Sequence, residues 1–236
     1  MAYTTINKST AHFNTITWTG NASARSLTGV GHAPDLVWVK DRSETNGHAL
    51  FDKVRGVNKY ITTNQNIAEL NQPSSGYVSA FDSDGFSGVT GSSSYANWNK
   101  SGNNYVAWNW KANGQGSSNT DGSINTTYTS ANTTAGFSIS QYTGTGSNAT
   151  IGHGLGAVPK MIIVKNLDQN DDWYVYHVSR GATKHIILNS TGTGGTNSTL
   201  WQDTTPTNSV FSIGTNNVVN TSGEKYIAYC FAEKTG

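Results

Sequence analysis

Polar and apolar residues alternate along the chain with the period of a β-strand. Thr15-Ile16-Thr17-Trp18 is strictly alternating, as expected of a strand with one buried face. Two runs after prolines, Leu36–Val39 behind Pro34 and Met161–Val164 behind Pro159, are apolar at successive positions, as are the stretches around Tyr105 and Tyr226. A strand apolar on both sides is covered on both faces, so these four are predicted to lie centrally. Their predicted buried residues are Val37, Val39, Val106, Trp108, Ile162, Val164, Ile227 and Tyr229. Gly, Pro, Asn and Ser bound the apolar stretches. No window keeps helical apolar spacing with capping residues. The pattern predicts an all-β protein with about seven or eight strands in each half.

The halves resemble each other. FNTITWTG at 13–20 recurs as FSISQYTG at 137–144, and PDLVWVK at 34–40 as PKMIIVK at 159–165. RGVNK at 55–59 recurs as RGATK at 180–184, and GNNYVAWNW at 102–110 as GEKYIAYCF at 223–231. Four segments in one order at a nearly constant separation point to a duplication. The expected architecture is two tandem copies of an antiparallel β-sandwich or jelly-roll-like repeat. The expected boundaries are an N-terminal arm at 1–12, a first repeat at 13–112, a Gly/Ser/Asn-rich linker at 113–135 and a second repeat at 136–236. Whether the copies form two sandwiches or one joint one is open.

Composition narrows the function classes. Charged residues are only 12% of the chain and the net charge is +1, so nothing favours nucleic acid or an anionic membrane. The polar surface must come from Thr, Ser, Asn and Gly, which suits long-lived assemblies and carbohydrate contact. Seven Trp residues and an aromatic share of 11% argue against disorder. The single cysteine, Cys230, cannot form an internal disulfide. No run reaches membrane-spanning length, so membrane insertion is not expected. Residues 1–8 carry no apolar signal core, so the expected site of synthesis is a cytoplasm.

The motifs PDLVWVKDR, LFDKVRGVNKY, SAFDSDGFS and YVAWNWKA, with IGHGLGAVPKMIIVKN, WYVYHVSRG and YIAYCFAE in the second half, resemble a repeat domain common in marine bacteriophage genomes. That repeat occurs in tail-fibre and other virion proteins, often beside lectin-like sandwich domains of the SPRY type. The resemblance covers nearly the whole chain and implies a non-enzymatic virion structural protein. Its expected location is the virion, after synthesis in the host cytoplasm. Its expected partners are other virion proteins, further copies of itself and host-surface glycan. Three roles stay open: a tail-associated, fibre-like host-adhesion module; a capsid decoration or head-fibre protein; and a glycan-degrading enzyme. No coiled-coil or collagen-like shaft is present. The resemblance carries no catalytic residues and implies no cofactor.

Trp98 and Trp201 lack aromatic counterparts in the other half. Trp98, with Asn97, Asn99 and Lys100, lies in a polar stretch suited to stacking on sugars, although packing of the loop explains it too. Arg55 with Lys59, and Arg180 with Lys184, form a repeated basic feature that fits either anion binding or internal pairing. Asp82 and Asp84 open like a calcium loop, but no closing Glu follows and a β-turn explains them. The histidines hold no metal-ligand spacing, and no metal or catalytic constellation is expected.

Overall fold

The computed structural model describes residues 6–71, 74, 76–91 and 98–235. The protein is all-β, with 42% of its residues in strands and 5% in helices. Two compact units divide the chain at Ala112/Asn113, except that Asn66–Ala68 belongs to the second.

The first unit holds β1 (Phe13–Thr19), β2 (Arg25–Thr28), β3 (Leu36–Asp41), β4 (His48–Asp52), β5 (Lys59–Tyr60), β6 (Leu70–Asn71), β7 (Tyr77–Asp82), β8 (Gly85–Val89) and β9 (Asn104–Trp110). A four-stranded antiparallel sheet in the order β1-β9-β3-β4 packs on a three-stranded sheet, β2-β8-β7. Trp18, Val37, Val39, Phe51 and Tyr105 from the first sheet meet Leu27, Val78 and Phe86 from the second. This is a sandwich-like arrangement. Residues 9–11 form one turn of 3-10 helix ahead of β1. The N-terminal arm lies against this unit: His12 accepts a backbone bond from Lys111, and the Thr10 carbonyl meets His32 Nδ1 at 3.0 Å.

The second unit holds β10 (Tyr128–Asn132), β11 (Phe137–Thr143), β12 (Ala149–Gly152), β13 (Pro159–Asn166), β14 (Tyr174–His177), β15 (Lys184–Ile187), β16 (Gly195–Thr196), β17 (Val210–Ile213) and β18 (Lys225–Ala232). Two four-residue helices, α1 (Ser198–Trp201) and α2 (Asn217–Asn220), interrupt the strands. Each begins at an Asn whose side chain caps the first turn. A seven-stranded sheet runs β10-β11-β18-β13-β14-β15-β16, and β12 pairs with β17. Tyr142, Ile162, Val164, Tyr226 and Cys230 on the sheet pack against Ile151, Phe211 and Ile213.

Two expectations need correction. The 113–135 stretch is not a free linker. It contains β10, and Ser117 and Ile124 bridge to Thr129 and Ile151. Ile124 is buried in the core, and the Thr126 hydroxyl joins Thr129 and Ser140 in a buried chain of hydrogen bonds. The predicted burial holds for Val37, Val39, Ile162, Val164, Ile227 and Tyr229, but Val106 and Trp108 are only half-buried. On β9, Tyr105, Ala107 and Asn109 turn inward while Val106, Trp108 and Trp110 turn outward, and the outward positions are not fully covered.

In each unit a lysine braces a hairpin. The Lys40 ammonium donates to the carbonyls of Asp41, Glu44 and Asn46 across the β3–β4 turn. Lys165, fully buried, donates to those of Asn166 and Gln169 across the β13–β14 turn. Burial holds the Lys165 ammonium down to about 8, against the pull of Asp171 and Asp172.

Candidate functional site

The outer face of the first unit's four-stranded sheet carries an aromatic cluster. Strand alternation places it there, because residues two apart share a face. The register sets Trp110 between Phe13 and Leu36, and Trp108 between Thr15 and Trp38. Lys40 faces His48 on the adjoining strand, which leaves His48 diagonal to Trp38 on the same side. Trp38 contacts Trp108 edge-on at 72° with ring centroids 6.2 Å apart, and Trp110 at 34° and 6.4 Å. Phe13 extends the row, 4.8 Å from Trp110. Trp38, His48, Trp108 and Trp110 line a concavity of about 280 Å³.

Its hydrogen-bonding capacity is one-sided. Trp38 Nε1 donates to His48 Nδ1 at 2.9 Å. An imidazole that accepts at Nδ1 is neutral and carries its proton on Nε2. Burial, and then Lys40, hold the His48 pKa below its usual 6.5. The Trp108 indole N–H has no partner among the described residues, and neither it nor His48 Nε2 is a buried unpaired atom. Among the described residues, His48 Nε2–H and Trp108 Nε1–H are therefore left as donors without a protein acceptor. None of the four lining residues is acidic.

The residues singled out from sequence lie elsewhere. Trp98 is fully buried against Trp18 and Phe86. It fits because Gly88 has no side chain: a Cβ there would clash with the edge of the indole ring. Trp98 is therefore a core residue and not a presented aromatic. Asn99 is also buried; its amide donates to Asn21 Oδ1 and the Ser23 carbonyl. Lys100 is exposed and pairs with Glu44 at 2.6 Å. Asn97 lies outside the described residues. Trp201 is buried in α1 against Tyr176. A sugar-stacking role for Trp98 or Trp201 is excluded by this burial.

The basic pairs diverge between the units. The Arg55 side chain is buried in an ion network with Asp52 and Glu69, and Lys59 joins at Glu69. Arg55 is thus neutralised internally and does not present its charge to an anion. Arg180 is exposed and bonds the Thr193 carbonyl, and Lys184 is exposed. Asp84 accepts from the backbone of Gly29 and Gly31, and Asp82 from Ser87. The Asp82–Gly85 segment is the tight β7–β8 turn, and its carboxylates are spent on protein donors. Among the described residues no group of three acidic, His or Cys side chains could hold a metal, and no helix is long and apolar enough to cross a membrane.

Sequence reasoning missed Trp38, His48, Trp108 and Trp110 as a site. One signal was present: in YVAWNWK the aromatic residues Trp108 and Trp110 share one parity, while small Ala107 and polar Asn109 share the other.

Fold and site together define an all-β, sandwich-like protein with a partly open aromatic sheet face. Residues 8–236 match the family described as Domain of unknown function (DUF7483), and the chain belongs to that family. Nothing among curated proteins or solved structures matches it.

Proposed function

We propose that the protein is a non-enzymatic bacteriophage virion structural protein, acting as a tail-associated, fibre-like host-adhesion module built from two tandem copies of one sandwich repeat. The observation that carries the adhesion reading is the open Trp38–Trp108–Trp110 concavity on a sheet face, which no carboxylate lines among the described residues. Aromatic faces suit sugar rings. A glycan-cleaving site needs a pair of carboxylates, and this lining supplies none.

Several correspondences support the duplication. Strand order β1-β9-β3-β4 has its parallel in β11-β18-β13-β14, and the β2–β8 pair in β12–β17. Trp18 stacks on Tyr105 at 5.2 Å and 15°, and Tyr142 on Tyr226 at 5.2 Å and 13°. The resemblance of its motifs to those of marine phage fibre proteins supports the virion assignment, with other virion proteins, sister copies and host-surface glycan as partners and no cofactor. A shallow site of this kind binds weakly alone, and an array of copies would raise avidity by about 10²–10⁴.

The test is binding of multimerised protein to host cells, together with antibody labelling of particles in electron microscopy. Label on the tail and saturable cell binding are expected. Label on the head without cell binding would favour capsid decoration, and release of reducing sugar would overturn the non-enzymatic reading.

A further inference from the structure

We infer that the Trp38–His48–Trp108–Trp110 concavity takes an uncharged sugar ring that bears an acetyl group, on nitrogen or on oxygen. This rests on the glycan-adhesion reading and specifies its ligand.

Size comes first. A concavity of about 280 Å³ falls just below the ~300–1,000 Å³ of pockets for drug-sized ligands. It accommodates one ring with a substituent. The walls come next: with Trp108 edge-on to Trp38 and Trp110 tilted, the ligand meets aromatic surface from more than one direction. Such walls favour C–H-rich groups over a flat plate.

The polar groups then choose among ligands. Trp38 Nε1 and His48 Nδ1 satisfy each other, which leaves His48 Nε2–H and Trp108 Nε1–H, both donors. A ligand that fits must supply acceptors. A bare hydroxyl offers an acceptor but no methyl to bury against the indole rings. An ammonium group would find no carboxylate in the lining and would meet the field of Lys40, which faces His48. A free anion would lose its water against indole walls, and the Lys40 ammonium, already bound to three loop carbonyls, has no proton left to offer. An acetyl group presents one accepting carbonyl beside one methyl. It matches a donor-only, aromatic lining.

The experiment follows tryptophan emission and histidine NMR signals of the full chain during titration with three neutral probes. These are methyl glucoside, its 2-acetamido analogue and its 6-O-acetyl analogue. Saturable binding of at least one acetylated probe is expected, about fivefold or more tighter than the plain glucoside, as one hydrogen bond and a buried methyl provide. The two acetylated arms distinguish amide from ester. Trp108→Phe keeps the ring but loses the donor and should weaken binding about fivefold. Trp108→Ala should abolish it while the circular dichroism spectrum stays unchanged. An equal response to all three probes overturns the inference, as does no saturable response up to ~50 mM. Undiminished binding by Trp108→Ala does the same. Self-association in sedimentation that Trp108→Ala abolishes, with no sugar bound, would assign the face to a second copy. Host-cell binding that persists in Trp108→Ala sinks this site but leaves the adhesion reading standing. Acetyl-sugar binding without any host-cell binding does the reverse.

Discussion

Trp38 holds neutral His48 in a single tautomer: its indole N–H donates to Nδ1 at 2.9 Å, a bond that the imidazolium cannot accept. Burial, and then Lys40, set the folded pKa of His48 below its usual 6.5. The neutral form therefore contributes stability fully above pH 6.5, and that contribution is lost as pH falls through the depressed folded value. His32, His153 and His185 are lowered too, in each case chiefly by burial. The melting temperature should fall between about pH 7 and pH 5, before most carboxylates titrate. In an NMR titration His48 should show a midpoint below 6.5, with a simultaneous change in Trp38 emission. A midpoint at or above that value would contradict the geometry.

Trp108 and Tyr229 occupy matching places in the repeated segments, yet one is half-buried and the other 2% exposed. Tyr229→Ala should destabilise by about 3–5 kcal/mol, the range for a large core aromatic. Trp108→Ala should cost less than about 2 kcal/mol, because part of its ring already meets water. Urea unfolding of both variants checks the contrast, and equal losses would show that the outer face is covered.

Gly88 and Trp98 form a size pair. Gly88→Ala should destabilise by about 1–3 kcal/mol, since the new methyl would enter the space of the indole ring. Trp98→Phe should be milder than its lost area suggests, because the indole N–H is buried without a partner among the described residues and its removal relieves an unsatisfied donor. Thermal melts of the two single variants test this; a neutral Gly88→Ala would mean that the two strands part easily.

The Cys230 thiol faces the second unit's core, and burial pushes it up to about 12 from a usual 9. The native protein should resist alkylation at neutral pH and react once denaturant exposes the core. Because the folded value lies above the unfolded one, the thiol's contribution to stability is present below pH 9 and is lost as pH rises towards about 12. Rapid labelling of native protein, followed by mass spectrometry, would refute the burial.

The strands were legible in sequence because periodicity is local. Val37, Val39, Ile162 and Val164 needed only their neighbours to be assigned to the core. What lies against a sheet is not local. An apolar run is the same string whether its second face meets protein or water, which is why Trp108 was misjudged. Trp98 sits among polar residues in sequence and is buried because Gly88, ten positions earlier, leaves it a slot. The stretch after Asn113 has a linker's composition, yet single residues such as Ile124 and Thr126 tie it down through partners that no pattern announces. The aromatic site was half legible: parity on β9 marks Trp108 and Trp110 as neighbours, but only the pairing with β3 and β4 brings Trp38 and His48 beside them.

The lysines that brace the β3–β4 and β13–β14 turns have an environmental consequence. Each ammonium collects loop carbonyls as a bound calcium ion would elsewhere, so these hairpins carry their own cation. Unlike a bound ion, this cation is covalently part of the chain, so a chelator cannot strip it. The arrangement is vulnerable instead to chemistry on the amine. Acylation of Lys165 would delete charge and donors together from a position with no access to water, and the turn it closes would have to open.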